Sequence, residues 1–315
     1  MKNPEIHRNP RRYSHHGSRL DPLREKIARS VARPFFALLA VLARILPHDT
    51  LIRLSVACSR VVYVAFPGLR SSLLKNAAHI LGESSSPSAR ADLARGVLAS
   101  FGRFLVEFVS PDASSPRQDL AANTVGREHF EAAAAPGKGI IACTLHMGNY
   151  ELASMELAAL RRNVAIVFNK ERIGFLERIR SRRRTQKHLD EIVIDTSRFF
   201  GVEALARLRE NGIVLLAGDQ VKARDGERFS FLHGTAPFSL WPARLSLASG
   251  APILPAFNVR KSDGSYCLQL EPPIFPTEGA SSREILEELV SVFERYVSKH
   301  GDQWLMIRKF WVEER

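Results

Sequence analysis

The sequence predicts an α/β protein: a mixed, mostly parallel sheet flanked by helices, preceded by a helical N-terminal region that associates with membranes. Three observations predict it. From about residue 126 onward, short apolar runs without polar alternation recur, as in GIIACTL, NVAIVF and GIVLLAGD, and such runs suit strands buried on both faces. Helical stretches separate them, and strand–helix alternation places helices on the faces of a parallel sheet. Between residue 23 and about residue 126 the apolar pattern is helical. With 45% hydrophobic and 25% charged residues in 315, the composition is globular and large enough for a sizeable core.

Residues 1–22 have few apolar residues and no period, and read as a disordered basic arm. Residues 23–125 form the helical region. Its first helices break near Pro47, where Asp49 or Thr50 is placed to cap the next one. Residues 68–85 form a further helix and a polar loop, ESSSPS. Residues 88–110 then carry a stripe of Leu93, Val97, Leu98, Phe101, Phe104, Leu105 and Phe108. The region 126–315 is the α/β core. Its strands are GIIACTL, NVAIVF, EIVID, GIVLLAGD, APILPAF and YCLQLEP, with helices such as ELASMELAAL and VEALARLREN between them. Near the end, Ser281 and Glu284 have capping-box spacing ahead of a stripe at Ile285, Leu289, Phe293 and Val297.

The formal net charge is +12, and such a surplus points to an acidic partner: nucleic acid, anionic headgroups or an acidic protein. Half of it lies in residues 1–34, where nine Lys and Arg face three Asp and Glu. The most apolar early run, FFALLAVLA, is nine residues long, against the roughly 20 that a spanning helix needs. Arg53 and Arg60 interrupt the next run. Residues 35–66 are therefore expected to lie on a membrane rather than cross it, or else to pack on the core. Cys58, Cys143 and Cys267 are far apart, with no CxxC, so neither a disulfide framework nor a zinc site is expected. No helix-turn-helix, RNP or zinc-finger pattern accompanies the basic charge, and no nucleic-acid partner is expected.

Three stretches concentrate polar chemistry. In TLHMGNYELAS, His146 falls in the turn after a strand and Glu151 in the first turn of the following helix. Ligands gather at such carboxyl edges. The pair reads as a base and its orienting carboxylate, or as a histidine near a helix start with a glutamate favoured by the helix dipole. In LLAGDQVKARDG, Asp219 and Gln220 also follow a buried strand directly, as site residues or as ordinary turn formers. In RIRSRRR, Arg178, Arg180, Arg182, Arg183 and Arg184 spread around a helix, so most of them suit a solvated face and one or two a phosphate.

HMGNYE resembles the HxxxxE/D signature of glycerolipid and lysophospholipid acyltransferases, in the form found in bacterial lipid A biosynthesis (lauroyl/myristoyl) acyltransferases. The likeness continues in order through RSRRRTQKHL, GDQVKARDG, FSFLHGTAPFSLWPARLSLASGAPILPAF and HGDQWLMIRKFW, covering roughly residues 35–312. Tyr150 stands in place of the family's usual tryptophan, and Gly301-Asp302 in place of its Pro-Glu. The resemblance implies an O-acyltransferase that moves a fatty acyl chain from acyl carrier protein or acyl-CoA to a hydroxyl of a membrane glycolipid such as a lipid A precursor. His146 would be the general base, oriented by Glu151. Gly148 and Asn149 would supply oxyanion N–H groups, and Asp219 with Gln220 would support the site. One of Arg180, Arg182, Arg183 and Arg184 would bind a donor or acceptor phosphate. No metal or bound cofactor is implied, and there is no GxSxG elbow. The expected location is the cytoplasmic face of the inner membrane, held there peripherally or monotopically. Two other readings fit the residues: an acyltransferase with a soluble or glycoconjugate acceptor, and a non-catalytic basic protein that binds membranes or nucleic acid.

Overall fold

The computed structural model describes residues 22–110, 123–160, 163–169, 174–186, 188–194, 200–221 and 226–312. The expected basic arm therefore lies outside the described residues, except for Pro22. Four helices come first: α1 (Pro22–Ile45), α2 (His48–Ala65), α3 (Pro67–Leu81) and α4 (Pro87–Val109). The break falls at Pro47 as expected, but His48 already begins α2, so Asp49 and Thr50 sit inside its first turn rather than capping it. The stripe on α4 is real: Val97, Leu98, Phe104 and Phe108 are buried. Ser86, one residue before its Pro87, caps it through the Ala89 N–H.

The α/β part follows as β1 (Thr124–Val125), α5 (Arg127–Ala134), β2 (Ile140–Thr144), α6 (Tyr150–Leu160), β3 (Val164–Phe168), α7 (Gly174–Gln186), β4 (Leu189–Val193), α8 (Phe200–Arg209) and β5 (Ile213–Ala217). Then come the hairpin β6 (Glu227–Phe231) and β7 (Gly234–Phe238), followed by α9 (Trp241–Ser249), β8 (Ile253–Arg260), β9 (Tyr266–Leu270) and α10 (Ser282–His300). Seven strands make one sheet in the order β1-β9-β8-β2-β5-β3-β4. Every neighbouring pair is parallel except β8 with β9. All six strands read from the sequence are present. The capping box at Ser281 closes in both directions, and Ile285, Leu289, Phe293 and Val297 are buried.

Both faces of the central strands are covered, which is why their sequences lack alternation. Ile140, Ala142, Ile213 and Leu215 pack with Ala153 and Leu157 of α6 on one face. Ile141, Cys143, Val214 and Leu216 pack with Leu245 of α9 and Phe293 of α10 on the other. β2 and β5 are neighbours, yet the chain leaves them in opposite directions, through α6 toward β3 and through the hairpin and α9 toward β8. Their carboxyl ends thus form a topological switch point, where a crevice opens in such sheets.

The N-terminal helices are fastened to this edge. Phe36, Leu39, Ala40 and Ala43 of α1 pack with Phe104 and Phe108 of α4, and with Tyr150, Ile179 and Leu305. Among the described residues no single helix is long and apolar enough to cross a membrane. α2 and α3 together meet those criteria, but they are bent by 99° at their junction.

Candidate active site

Parallel pairing aligns Cys143 with Leu216 and Thr144 with Ala217, an offset that carries two residues further to set His146 opposite Asp219. The geometry there is close. The His146 ring Nδ1 lies 2.7 Å from Asp219 Oδ1, and the His146 backbone N–H donates to Oδ2 of the same carboxylate at 3.0 Å. Asp219 is fully buried, while the His146 side chain keeps 17% of its surface open. A carboxylate that can only accept fixes the tautomer: Nδ1 carries the hydrogen and Nε2 keeps its lone pair.

A third group completes the arrangement. The Trp304 indole N–H donates to Asp219 Oδ2 at 2.8 Å. Trp304 is brought there by the segment that follows α10, which runs along the His146 turn. Leu305 N–H donates to the His146 carbonyl at 2.8 Å, and Gly148 N–H to the Gln303 carbonyl at 2.9 Å. Burial alone would raise the Asp219 carboxyl. The His146 ring, the Trp304 N–H and the His146 backbone N–H outweigh it and hold the carboxyl below the usual range. A depressed folded-state value means that the stability contributed is present above the ordinary aspartate pKa and is lost as pH falls through the folded value. Trp304→Phe removes one donor and brings the folded value closer to the ordinary one, so less stability is lost between the two values: the acid limb should be shallower and should level off at a higher pH. Chemical denaturation along a pH series from neutral to acid checks this; an unchanged acid limb would contradict it.

The expectation that Glu151 orients His146 is corrected here. Glu151 is buried and turned toward α7, where its Oε1 lies 2.9 Å from Arg184 Nη2 and 3.3 Å from Arg180 Nε. Two positive charges beside it hold this carboxylate, and Asp219 takes the place at the imidazole. Arg184, 2% exposed, also reaches Glu191 at 3.3 Å and covers the ring of Phe168 at 4.5 Å. The four candidate arginines divide accordingly. Arg180 and Arg184 face the site, Arg183 donates to the carbonyls of Glu107 and Ser110 at the end of α4, and Arg182 is exposed to solvent.

Gly148 is also reassigned. Its N–H is taken by Gln303, so it has no donor to spare for an oxyanion. Its φ is +56°, and a Cβ there would stand 1.8 Å from the Asn258 carbonyl oxygen, so only glycine fits. Asn149 works through its side chain: Oδ1 caps α6 at the Leu152 N–H (3.1 Å), while Nδ2 donates to Glu107 at 2.8 Å.

His146 and the two inward arginines border a cavity of about 380 Å³. His146, Glu151, Arg180, Arg184, Asn169 and Gln220 form its polar part, and apolar side chains including Leu157, Ile166, Phe168, Leu215 and Trp241 line the remainder. The Tyr150 ring lies edge-on to His146 at 4.7 Å and stacks on Phe104 of α4 at 4.9 Å. The Cys143 thiol is pushed up by burial and then by Asp219, which keeps it protonated and a poor nucleophile. Among the described residues no group of His, Cys, Asp and Glu is arranged to hold a metal ion.

A partly open histidine held by a buried aspartate, opening on a largely apolar cavity at the switch point of a mostly parallel sheet, is the layout of an α/β enzyme that handles an apolar substrate. Comparison with known proteins narrows the class: the chain belongs to the bacterial lipid A biosynthesis acyltransferase family, whose model matches residues 26–313, and the protein is an acyltransferase of lipid biosynthesis. It is similar to the phosphatidylinositol mannoside acyltransferases of Mycobacterium tuberculosis strains CDC 1551 / Oshkosh and H37Rv. Each is 26% identical over 270 residues, covering 80% of either chain. That of Mycolicibacterium smegmatis is 22% identical over 254 residues, 80% of this chain and 83% of the relative.

Proposed function

We propose that the protein transfers a fatty acyl chain from a thioester of acyl carrier protein or coenzyme A to a hydroxyl of a membrane glycolipid, with His146 as general base and Asp219 as the group that orients it. The single observation that carries this is the 2.7 Å contact between a buried carboxylate and an imidazole that borders an apolar cavity. In this mechanism Nε2 takes the hydroxyl proton as the oxygen attacks the thioester carbonyl. The carbon–sulfur bond then breaks, and the proton passes from the imidazolium to the departing thiolate. Asp219 stabilises the imidazolium without taking its proton. Arg180 and Arg184 supply positive charge for the oxyanion or for a substrate phosphate, and Glu151 holds their guanidinium groups in place. Gln220, on the cavity wall, assists acceptor binding. Relatives named for a phosphatidylinositol mannoside favour a sugar-bearing lipid as the acceptor, and the family's name adds lipid A precursors to the same class.

The membrane reading rests on surface chemistry. Phe35, Leu38, Val41 and Ile45 of α1 are exposed on the side away from α4, as are Leu54, Val61 and Val64 of α2. Apolar exposure of this extent beside a basic N-terminal sequence suits an anionic lipid surface better than nucleic acid. The proposed place is peripheral or monotopic, on the cytoplasmic face of the cell's inner membrane.

The test is acyl transfer in vitro, with radiolabelled acyl carrier protein thioesters or acyl-CoA and a total lipid extract, wild type beside His146→Ala. Wild type should label a glycolipid, and the variant should be slower by roughly 10²–10⁴-fold. A variant that retains most of the rate would sink the general-base assignment. Labelling of a soluble glycan and no lipid would replace the acceptor class.

A further inference from the structure

We infer that Glu107 of α4 is a positioning residue, aligning the His146 turn with the arginine-bearing helix; the inference rests on the acyl-transfer reading above. Glu107 lies outside the cavity, yet it ties β9 to α6 and α7, the two helices that border the cavity. Its Oε2 accepts from Asn149 Nδ2 at 2.8 Å and from the Tyr266 hydroxyl at 2.9 Å, and its Oε1 lies 3.1 Å from the same hydroxyl. Its backbone carbonyl accepts from Arg183 of α7 at 3.2 Å. One residue thus sets both the start of α6 and the seating of α7, the two helices between which Glu151 meets Arg180 and Arg184.

The chemistry makes the contact directional. Each of these side-chain partners donates to Glu107, so the carboxylate acts purely as an acceptor. Burial raises this carboxyl; the Tyr266 and Asn149 hydrogen bonds oppose the rise, as do the charges of Arg260 and Arg103. The Tyr266 hydroxyl is itself raised far above its ordinary value, first by burial and then by Glu107, and so keeps its proton to donate. With its NH₂ held by Glu107, the Asn149 amide has one orientation left, the one that points Oδ1 at the Leu152 N–H. That cap fixes where the first turn of α6 places Tyr150, which touches the His146 ring, and Glu151. Misplacement by about 1 Å in a catalytic constellation can cost on the order of a hundredfold in rate.

Reversed polarity provides the test. Asn149→Asp retains the capping oxygen but sets carboxylate against carboxylate. Combining it with Glu107→Gln restores a donor–acceptor pair with the roles exchanged. Full-length wild type, Asn149→Asp, Glu107→Ala and the double variant are compared in two assays: kcat and KM per folded molecule, and substrate-free hydrogen exchange of the Leu152 and Ala153 amides. The expected result is a kcat lower by roughly tenfold or more in both single variants, with donor KM within about twofold of wild type. Amide protection should fall in both, and the double variant should recover both readouts. A purely structural contact would lower the melting temperature while leaving kcat per folded molecule intact, and that outcome overturns the inference. So does a double variant no better than Asn149→Asp. The exchange measurement needs no turnover, and His146→Ala checks the acyl-transfer reading independently, so failure of one is not mistaken for failure of the other.

Discussion

Asp219→Asn should lower kcat by about 10³–10⁴-fold while the protein stays folded. The amide is nearly isosteric, but it has one acceptor and one donor where the carboxylate has two acceptors. Three donors converge on Asp219: the His146 ring, the His146 backbone N–H and the Trp304 indole. An asparagine that keeps its oxygen on the two N–H groups must face the imidazole with its NH₂, which forces the hydrogen onto Nε2 and removes the base. The pH–rate profile and the rate itself are the measurements. Activity within tenfold of wild type would mean that Asp219 is not the orienting group. Glu151→Gln makes the comparison informative, because it leaves the tautomer untouched. Its loss should appear in substrate handling and stability rather than in the base.

Glu151→Ala should destabilise the fold by about 3–5 kcal/mol, the usual cost of removing one partner from a buried ion pair and leaving the other uncompensated. The residue is buried, and so are both arginines it holds. Arg184 retains Glu191, but that contact is 3.3 Å and sits nearer to solvent. Equilibrium denaturation at neutral pH measures the loss. A change below about 1 kcal/mol would place Glu151 among weakly coupled surface pairs. Adding Arg184→Met to the variant should recover part of the loss, since it removes a stranded charge and keeps much of the volume.

The sheet was legible because its strands are covered on both faces, and such strands declare themselves as unbroken apolar runs. The hairpin of β6 and β7 was not. Pro237 lies within it, Leu232 turns the corner with a positive φ where glycine or asparagine is usual, and the stretch carries no hairpin signal of its own. His146 was legible at a strand's carboxyl end, and Asp219 at that of another strand. Their pairing was not, because it depends on β5 lying next to β2, and strand order is not written in spacing. Glu151, five residues from His146, drew the role by proximity in sequence, whereas the contact formed across 73 residues. Among the four arginines, helical spacing excluded a common ligand but could not say which face turns inward. Glu107 stands alone in an apolar helical run and Tyr266 opens a strand just behind the turn formers KSDGS, so neither carried the signal of a site.

The segment carrying Gln303 and Trp304 has a consequence for how the enzyme is made. His146 leaves the ribosome first, Asp219 follows 73 residues later, and Trp304 follows Asp219 by 85. At about 5–20 residues per second, roughly 8–30 seconds separate the first of these from the last. Until the end of that interval the His146 turn lacks the backbone contacts that Gln303 and Leu305 supply. A released chain that ends before residue 301 would present the apolar crevice without the segment that braces its edge, so chaperones should hold it longer than the full-length chain.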